Sequence, residues 1–161
     1  MRKSVEVKHQ IWIEAPRAAV QAQFADVQHH IDVNVHPKLR FELLAQEPGR
    51  ARFTQVVKLL GMKQRDLFNR VIDDYGSIHD ESIDGFNKGG KLDFAFTPAV
   101  QEGREGTQVD ITIRLPTPPL LGWLAPVMKA QVRREVETAA LEDKYDLEKR
   151  GYTPTVATMS A

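Results

Sequence analysis

Histidine is the residue type best suited to chemistry in this sequence. Three of the five histidines lie close together. His29, His30 and His36 fall within one short segment that also contains Asp32. If this segment is helical, His29 and Asp32 share a face, because residues three positions apart are neighbours on a helix. Imidazoles and a carboxylate can bind zinc or iron, or can transfer protons near neutral pH. His29 and His36 are therefore candidate catalytic residues.

The simpler interpretation of this segment is a polar, exposed connector whose histidines bond to water or to the backbone. We favour this interpretation, because a histidine pair without a third ligand at close spacing is a weak indication of a metal site. The sequence accordingly predicts no metal and no cofactor.

His9 is the third catalytic candidate, because it lies on the apolar face of a predicted strand. Val5, Val7, Ile11 and Ile13 share its face, and mainly polar residues fill the positions between them. A histidine in such a position is usually a core residue bonded to a polar neighbour. The alternative is a polar anchor inside a cavity.

Composition excludes several classes of protein. The 161 residues suit one domain, and 22 basic residues balance 22 acidic ones. Because no basic excess is present to neutralise phosphates, we predict no nucleic-acid partner. The absence of cysteine removes disulfides and thiolate metal sites. No apolar run is long enough to span a membrane, so the expected location is the cytoplasm.

Several strands follow the histidine segment and must position its side chains. The pattern after residue 37 predicts consecutive strands separated by short turns, at about 39–46, 51–60, 63–74 and 77–83. The clearest alternation comes next, at Leu92, Phe94 and Phe96, and Val109 begins another alternating stretch. Consecutive strands with short connections favour an antiparallel sheet.

A long C-terminal helix completes the predicted elements. It follows a proline-rich break at 116–119 and extends to about Arg150, where Gly151 ends it. Its apolar stripe has helical spacing and consists of Leu121, Leu124, Met128, Val132, Val136, Ala139, Asp143 and Leu147. We predict that residues 153–161 form a disordered tail.

The order of these elements resembles the START-like superfamily, also called SRPBCC or helix-grip proteins. The resemblance includes the local sequence Ile13-Glu14-Ala15-Pro16, then Val20 and Asp26-Val27, and it extends from about Val5 to Arg150. The superfamily includes birch-pollen allergens, steroidogenic lipid-transfer domains, polyketide cyclases and dehydratases, and coenzyme Q-binding proteins.

The resemblance implies one α+β domain over residues 1–152. Its expected architecture is a curved antiparallel sheet of about seven strands around the long C-terminal helix, with two short helices after the first strand. The resemblance also places the histidine segment at the mouth of a cavity, so a ligand contact is favoured there over a metal.

A single helix cannot fill the concavity of a bent sheet, so an apolar gap is expected between them. Gln55 and Asn69 are included among its lining residues, because a buried amide needs a partner that a ligand oxygen could supply. The predicted ligand-binding residues are His9, Phe53, Gln55, Val57, Asn69, Leu92, Phe94, Phe96, Val109, Ile111, Leu124, Met128 and Val132.

Three functions are compatible with these patterns. The leading hypothesis is a binder or carrier of a small hydrophobic molecule, such as a lipid, an isoprenoid, a quinone or an aromatic metabolite. The second is an enzyme similar to polyketide cyclases and dehydratases, with His9, His29 or His36 as acid or base. The third is a protein-interaction module with a filled pocket. We favour a carrier over an enzyme, and the patterns leave the ligand and the oligomeric state open.

Overall fold

The computed structural model describes residues 4–154 of the chain, and residues 155–161 of the predicted tail lie outside this part. Its strands are β1 (Ser4–Ile13), β2 (Arg40–Glu47), β3 (Arg50–Leu59), β4 (Met62–Ile72), β5 (Ile78–Gly85), β6 (Lys91–Gln101) and β7 (Arg104–Pro116). Its helices are α1 (Arg17–Ala25), α2 (Val27–Asp32) and α3 (Ala125–Tyr145). A 3-10 turn, Gly122–Leu124, precedes α3, and a π-helical segment, Asp146–Arg150, extends it.

All the strands of the described residues form one antiparallel sheet. Its order is β1-β7-β6-β5-β4-β3-β2, so the first and last strands pair, and every other neighbour is consecutive in the chain. Irregularities in the pairing occur between Leu43 and Ala45 and between Leu67 and Phe68. Such bulges bend a sheet. The predicted helix-grip architecture, with seven strands and two short helices after the first, is confirmed.

The alternation of the sequence directs apolar side chains to the concave face. In β1, Val5, Val7 and Ile13 are buried, and Val7 pairs with Ile113 of β7. Phe96 of β6 is also buried, and the partly buried Leu92 and Phe94 pack against the same core. This face of the sheet therefore forms one wall of the molecule's main core.

Asp26 separates the two short helices and sets the direction of the second. Its side chain accepts a hydrogen bond from the backbone N–H of His29 at 3.0 Å, which caps the N-terminus of α2. Val20 and Phe24 anchor the preceding helix in the core. The cap therefore fixes the orientation of α2, which carries two of the clustered histidines.

The long helix buries one face, as predicted. Met128, Val132, Val136, Ala140 and Asp143 are its buried residues, spaced at three or four positions. The stripe thus ends in a carboxylate, which lies opposite α2. None of the described helices combines the length and the apolar character needed to cross a bilayer.

Candidate functional site

A cavity of about 170 Å³ lies between α3 and the concave face of the sheet. Aromatic and aliphatic side chains cover most of its walls, among them Phe24, Phe41, Phe53, Phe68, Leu92 and Phe94. An apolar cavity of roughly 150 Å³ is large enough to hold a benzene molecule. The space therefore has the size that a small aromatic molecule requires.

Contacts between the rings hold the aromatic walls in place. Phe53 stacks on Phe68 with ring centroids 5.6 Å apart and meets Phe41 edge-on at 6.0 Å. At another wall, Phe24 packs edge-on against Phe94 at 5.9 Å. Such pairs add to the free energy of burial, so the walls are preorganised rather than collapsed into the space.

Seven of the thirteen predicted ligand-binding residues, together with the catalytic candidate His36, line this cavity. They come from the sheet, from α3 and from the segment after α2: Phe53, Gln55, Val57, Leu92, Phe94, Ile111, Val132 and His36. Their role in ligand binding stays a prediction.

The structure places the other predicted residues elsewhere. Phe96, Val109 and Met128 are buried in the main core but do not line the cavity. His9, in β1, and Leu124, before α3, are partly buried and also lie outside the lining. Phe96, Val109 and Met128 belong to the main core, which lies beside the cavity.

Asn69 lies on the wrong face of β4 for the predicted role. Its side-chain oxygen accepts a hydrogen bond from the exposed Arg52 at 2.9 Å. Phe68 and Arg70, on either side of it, are buried and line the cavity instead. Because successive side chains of a strand point to opposite faces, Asn69 belongs to the outer face.

The prediction of an exposed histidine connector is wrong. His29, His30 and His36 are only 7%, 8% and 7% exposed. Asp32 is not their carboxylate partner, because it accepts a hydrogen bond from Gln28 on the surface. The histidines are buried because the C-terminal helix packs over them, a long-range contact that the local sequence does not encode.

Carboxylates from the C-terminal helix meet the histidines. His30 Nε2 lies 2.9 Å from Asp143 Oδ1. His36 Nδ1 lies 3.0 Å from Glu142 Oε1, and its Nε2 lies 3.4 Å from Asp143 Oδ2. These four residues line the cavity, and together we call them the histidine–carboxylate wall.

His29 lies behind this wall, outside the cavity lining. Its Nε2 lies 2.7 Å from Asp146 Oδ2. Gln23 connects the two layers, because its side-chain N–H donates to Asp143 and to Asp146, each at 3.0 Å. Tyr152 donates to Asp26 at 2.7 Å. The wall is therefore held by a buried polar network.

Charges in the wall shift the pKa values of His36 and Asp143 strongly. Burial alone would lower the pKa of His36, but the carboxylates of Asp143 and Glu142 outweigh it and raise that pKa to about 10. Burial would likewise raise the pKa of Asp143, yet His36 and His30 hold it well below its usual range. In this structure, His36 and Asp143 therefore form a buried ion pair.

A second set of polar groups borders the cavity from the sheet side. Arg70 binds Asp80 through two hydrogen bonds of 2.7 and 2.8 Å. Asp66 accepts hydrogen bonds from the backbone N–H of Asn87 at 2.7 Å and from its side chain at 2.9 Å. Gly85 permits this turn, because its φ of +119° is left-handed and a Cβ would collide with the chain of β4.

Sequence reasoning missed His30, Glu142 and Asp143 as members of the site. The available signal was Asp143 itself, because a carboxylate within an otherwise apolar helical stripe must be buried beside a polar partner. No local spacing identifies its partners, because His30 and His36 lie more than 100 positions earlier in the chain.

Solved structures of other proteins share this fold. TTHA0849 of Thermus thermophilus has a TM-score of 0.79 at 22% identity, covering 91% of this chain and 99% of that one. A START superfamily protein of Mycobacterium smegmatis has a TM-score of 0.74 at 15% identity, covering 90% and 98%. The Zhui aromatase/cyclase of a Streptomyces species has a TM-score of 0.61 at 16% identity, covering 94% and 100%.

No protein-family model matches the sequence, and no curated protein matches it with significance. The likeness to the solved structures confirms the START-like, helix-grip fold that the order of elements predicted. At these identities the likeness shows the fold alone.

Proposed function

We propose that this protein binds a small, mainly apolar molecule of one or two rings that carries a hydroxyl group. The observation that carries the proposal is the cavity of about 170 Å³ with preorganised aromatic walls. Concave, mostly apolar sites with a few convergent polar groups are the usual form of small-molecule sites. The aromatic rings would supply affinity, and the polar wall would orient the ligand.

The histidine–carboxylate wall suits a ligand that donates a hydrogen bond. Both ring nitrogens of His30 and of His36 already have partners within the protein. The carboxylates of Glu142 and Asp143 each have further lone pairs that can accept. A ligand hydroxyl therefore finds acceptors in this wall, whereas a ligand carbonyl finds no available imidazole donor.

The structural neighbours support binding in a general way. One is described as a START superfamily protein and another as an aromatase/cyclase. Because the cavity has a volume of only about 170 Å³, we propose an aromatic or isoprenoid-like compound of one or two rings rather than an extended lipid chain.

A fluorescence titration with 1-naphthol tests the proposal. Val132→Phe places a larger ring in the cavity and should weaken binding at least about tenfold, or about 1.4 kcal/mol. Val127→Phe is the matched control, because Val127 lies on the exposed side of the same helix. The proposal is wrong if wild type does not bind 1-naphthol, or if both variants bind as tightly as wild type.

Native mass spectrometry identifies the natural ligand class. Protein purified from its own host should carry a bound compound, and organic extraction should release it. The same measurement on Val132→Phe should show less of that compound. Protein that carries no bound compound and takes up no hydrophobic molecule would favour the interaction-module hypothesis instead.

An acid–base enzyme is the second candidate, and the observation in its favour is that His30 and His36 line the cavity. His9 and His29 do not, so this candidate now rests on the wall. It would require one hydrogen bond of His36 to open, so that the ring could protonate a leaving hydroxyl. Binding of an apolar ligand requires no such rearrangement.

Dehydration of 3-hydroxy-1-tetralone to 1-naphthol tests this candidate. A base removes a proton from the carbon beside the carbonyl, the acid protonates the hydroxyl, water leaves, and the product tautomerises to the phenol. General acid–base catalysis predicts a rate about 100-fold or more above that of His36→Gln. Equal rates for the two proteins would exclude His36 as the acid, and retained 1-naphthol binding in the variant would show that the cavity is intact.

A further inference from the structure

Three side chains of the histidine–carboxylate wall have the composition and spacing of a metal site. One ligand atom each from His30, His36 and Asp143 lies within 4.8 Å of the other two. The two imidazoles face different oxygens of the carboxylate: His30 Nε2 lies 2.9 Å from Asp143 Oδ1, and His36 Nε2 lies 3.4 Å from Asp143 Oδ2. Because zinc bonds to nitrogen and oxygen are about 2.0–2.2 Å long, two ligand atoms of one tetrahedral ion lie about 3.4 Å apart. Only small side-chain movements would bring all three onto one ion.

In each imidazole, the nitrogen that would not bind the ion is Nδ1, and it already makes a hydrogen bond of the kind found in metal-binding histidines. His30 Nδ1 lies 2.8 Å from the backbone oxygen of Asp26, and His36 Nδ1 lies 3.0 Å from Glu142 Oε1. Both partners accept, so both Nδ1 atoms donate. Metal-binding histidines typically make this kind of bond to a carbonyl or carboxylate, which orients the ring and directs the lone pair of Nε2 towards the ion.

The buried carboxylate of the wall also suits a cation. Both Nε2 atoms face Asp143, whose side chain is buried. Because a buried carboxylate needs a cation or hydrogen-bond donors beside it, a divalent ion held between the two Nε2 atoms and Asp143 would meet that need.

The position of the wall leaves coordination sites open. All three residues line the cavity, so an ion bound by them would expose its remaining positions to the cavity's interior. Imidazole ligands favour first-row transition metals over magnesium or calcium, which prefer oxygen. Two histidines and one carboxylate with open positions occur in catalytic zinc and non-haem iron sites.

We propose that His30, His36 and Asp143 bind one divalent first-row transition-metal ion, such as Zn²⁺ or Fe²⁺, at the polar end of the cavity. This inference departs from the sequence analysis, which predicted no metal because the histidines lacked a third ligand. The third ligand comes from α3, more than 100 positions later in the chain. The site does not depend on the proposed apolar ligand, although the two would be adjacent.

Titration of the chelator-treated protein with Co²⁺ and Zn²⁺ tests this site. We expect one ion per chain, visible d–d absorption bands for Co²⁺, and displacement of Co²⁺ by Zn²⁺. Asp143→Asn and His36→Gln should each weaken binding by about 100-fold or more, because each removes or neutralises a direct ligand. Glu142→Gln should weaken it by about tenfold, because it changes only the partner of a ligand.

The control is His79→Gln, since His79 lies between two carboxylates on the surface, at 2.6 Å from Asp93 and 2.9 Å from Asp73. This variant should bind Co²⁺ as wild type does. If Asp143→Asn fails to fold by circular dichroism, the partly exposed Glu142→Gln decides the outcome. The proposal is overturned if wild type does not bind either ion, if the wall variants bind normally, or if His79→Gln loses binding.

The experiments distinguish failure of the metal-site proposal from failure of the proposed apolar ligand site. Loss of 1-naphthol binding in Val132→Phe with unchanged Co²⁺ binding would support both sites. Absence of Co²⁺ binding in a wild type that binds 1-naphthol would overturn the metal site alone.

Discussion

Two charged regions border the same cavity, and they differ in how their charges are balanced. On the sheet side, the guanidinium of Arg70 binds the carboxylate of Asp80 through two hydrogen bonds. On the helix side, imidazoles of the histidine–carboxylate wall bind Asp143 and Glu142. A guanidinium stays charged at any pH that a folded protein meets, whereas an imidazole can release its hydrogen or bind a metal.

The contacts of Arg70 show that the Arg70–Asp80 pair on the sheet side has a structural role. Its side chain also donates to the backbone oxygen of Phe24 at 3.0 Å and lies 5.0 Å from the centroid of the Phe53 ring. It therefore connects β4 to the end of α1. Burial and charge alone do not mark a functional group; groups that can exchange a proton or a ligand beside a cavity are better candidates.

Breaking the Arg70–Asp80 pair should have the largest effect on stability. Arg70→Met leaves Asp80 buried without its cation, which should lower the free energy of unfolding by about 3–5 kcal/mol. Urea denaturation measures this loss. The double variant Arg70→Met/Asp80→Leu should recover more than half of it, because the unpaired charge is gone. Arg104→Met, at an exposed pair with Glu14, is the control and should change stability by no more than about 0.5 kcal/mol.

Asp143→Asn should cost less stability than Arg70→Met, about 1–3 kcal/mol, because the amide keeps an acceptor for one histidine. The same urea experiment measures this difference. The Co²⁺ titration of the same two variants then separates a metal-binding role from a structural one. Asp143→Asn should lose Co²⁺ binding, whereas Arg70→Met should keep it under conditions in which the variant is folded. If Asp143→Asn loses more stability than Arg70→Met and still binds Co²⁺ normally, the helix-side region is structural and our interpretation is wrong.

Truncating an aromatic wall should affect ligand affinity more than truncating a residue outside the cavity. Phe94→Ala should weaken 1-naphthol binding about fivefold, or about 1 kcal/mol. Trp12→Ala should leave it nearly unchanged, because Trp12 does not line the cavity. Equal effects in the fluorescence titration would mean that the ligand binds outside the described cavity.

His79 provides an exposed counterpart of the wall and the smallest expected effect. Hydrogen bonds to Asp73 and Asp93 raise its pKa above the usual value. Its contribution to stability is therefore complete below about pH 6.5 and is lost as the pH rises through the raised pKa. Because the group is exposed, the contribution should be below about 1 kcal/mol.

Urea denaturation of wild type and His79→Gln between pH 6 and pH 9 measures this contribution. The stability difference between the two proteins should shrink as the pH rises. A difference that grows over this range would contradict the sign derived from the raised pKa.

Much of the fold could be predicted from the sequence, because the apolar periodicity of each element survives in the structure. The alternation of β1 and β6, and the stripe of α3 from Met128 to Asp143, correspond to buried faces. The prediction that Asn69 faces the cavity was wrong, because apolar residues on both faces of β4 left the local pattern ambiguous. The bulge between Leu67 and Phe68 lies beside that position.

The candidate site was predictable only in part. Wall residues such as Phe53 and Phe94 follow from alternation, because the concave face of the sheet must be apolar. Sequence alone did not distinguish side chains that line the cavity from those, such as Val109 and Met128, that fill the core beside it. That distinction depends on the distance between α3 and the sheet at each point.

By itself, the sequence determined the order of elements and the buried face of most of them, and that order resembles the helix-grip fold. These properties follow from local periodicity and from turns that each span a few residues. Only the tertiary structure decided that His30 and His36 are buried and that Asp143 joins them. Their contact links positions 113 and 107 residues apart, so it depends on how α3 crosses the sheet and not on any local spacing.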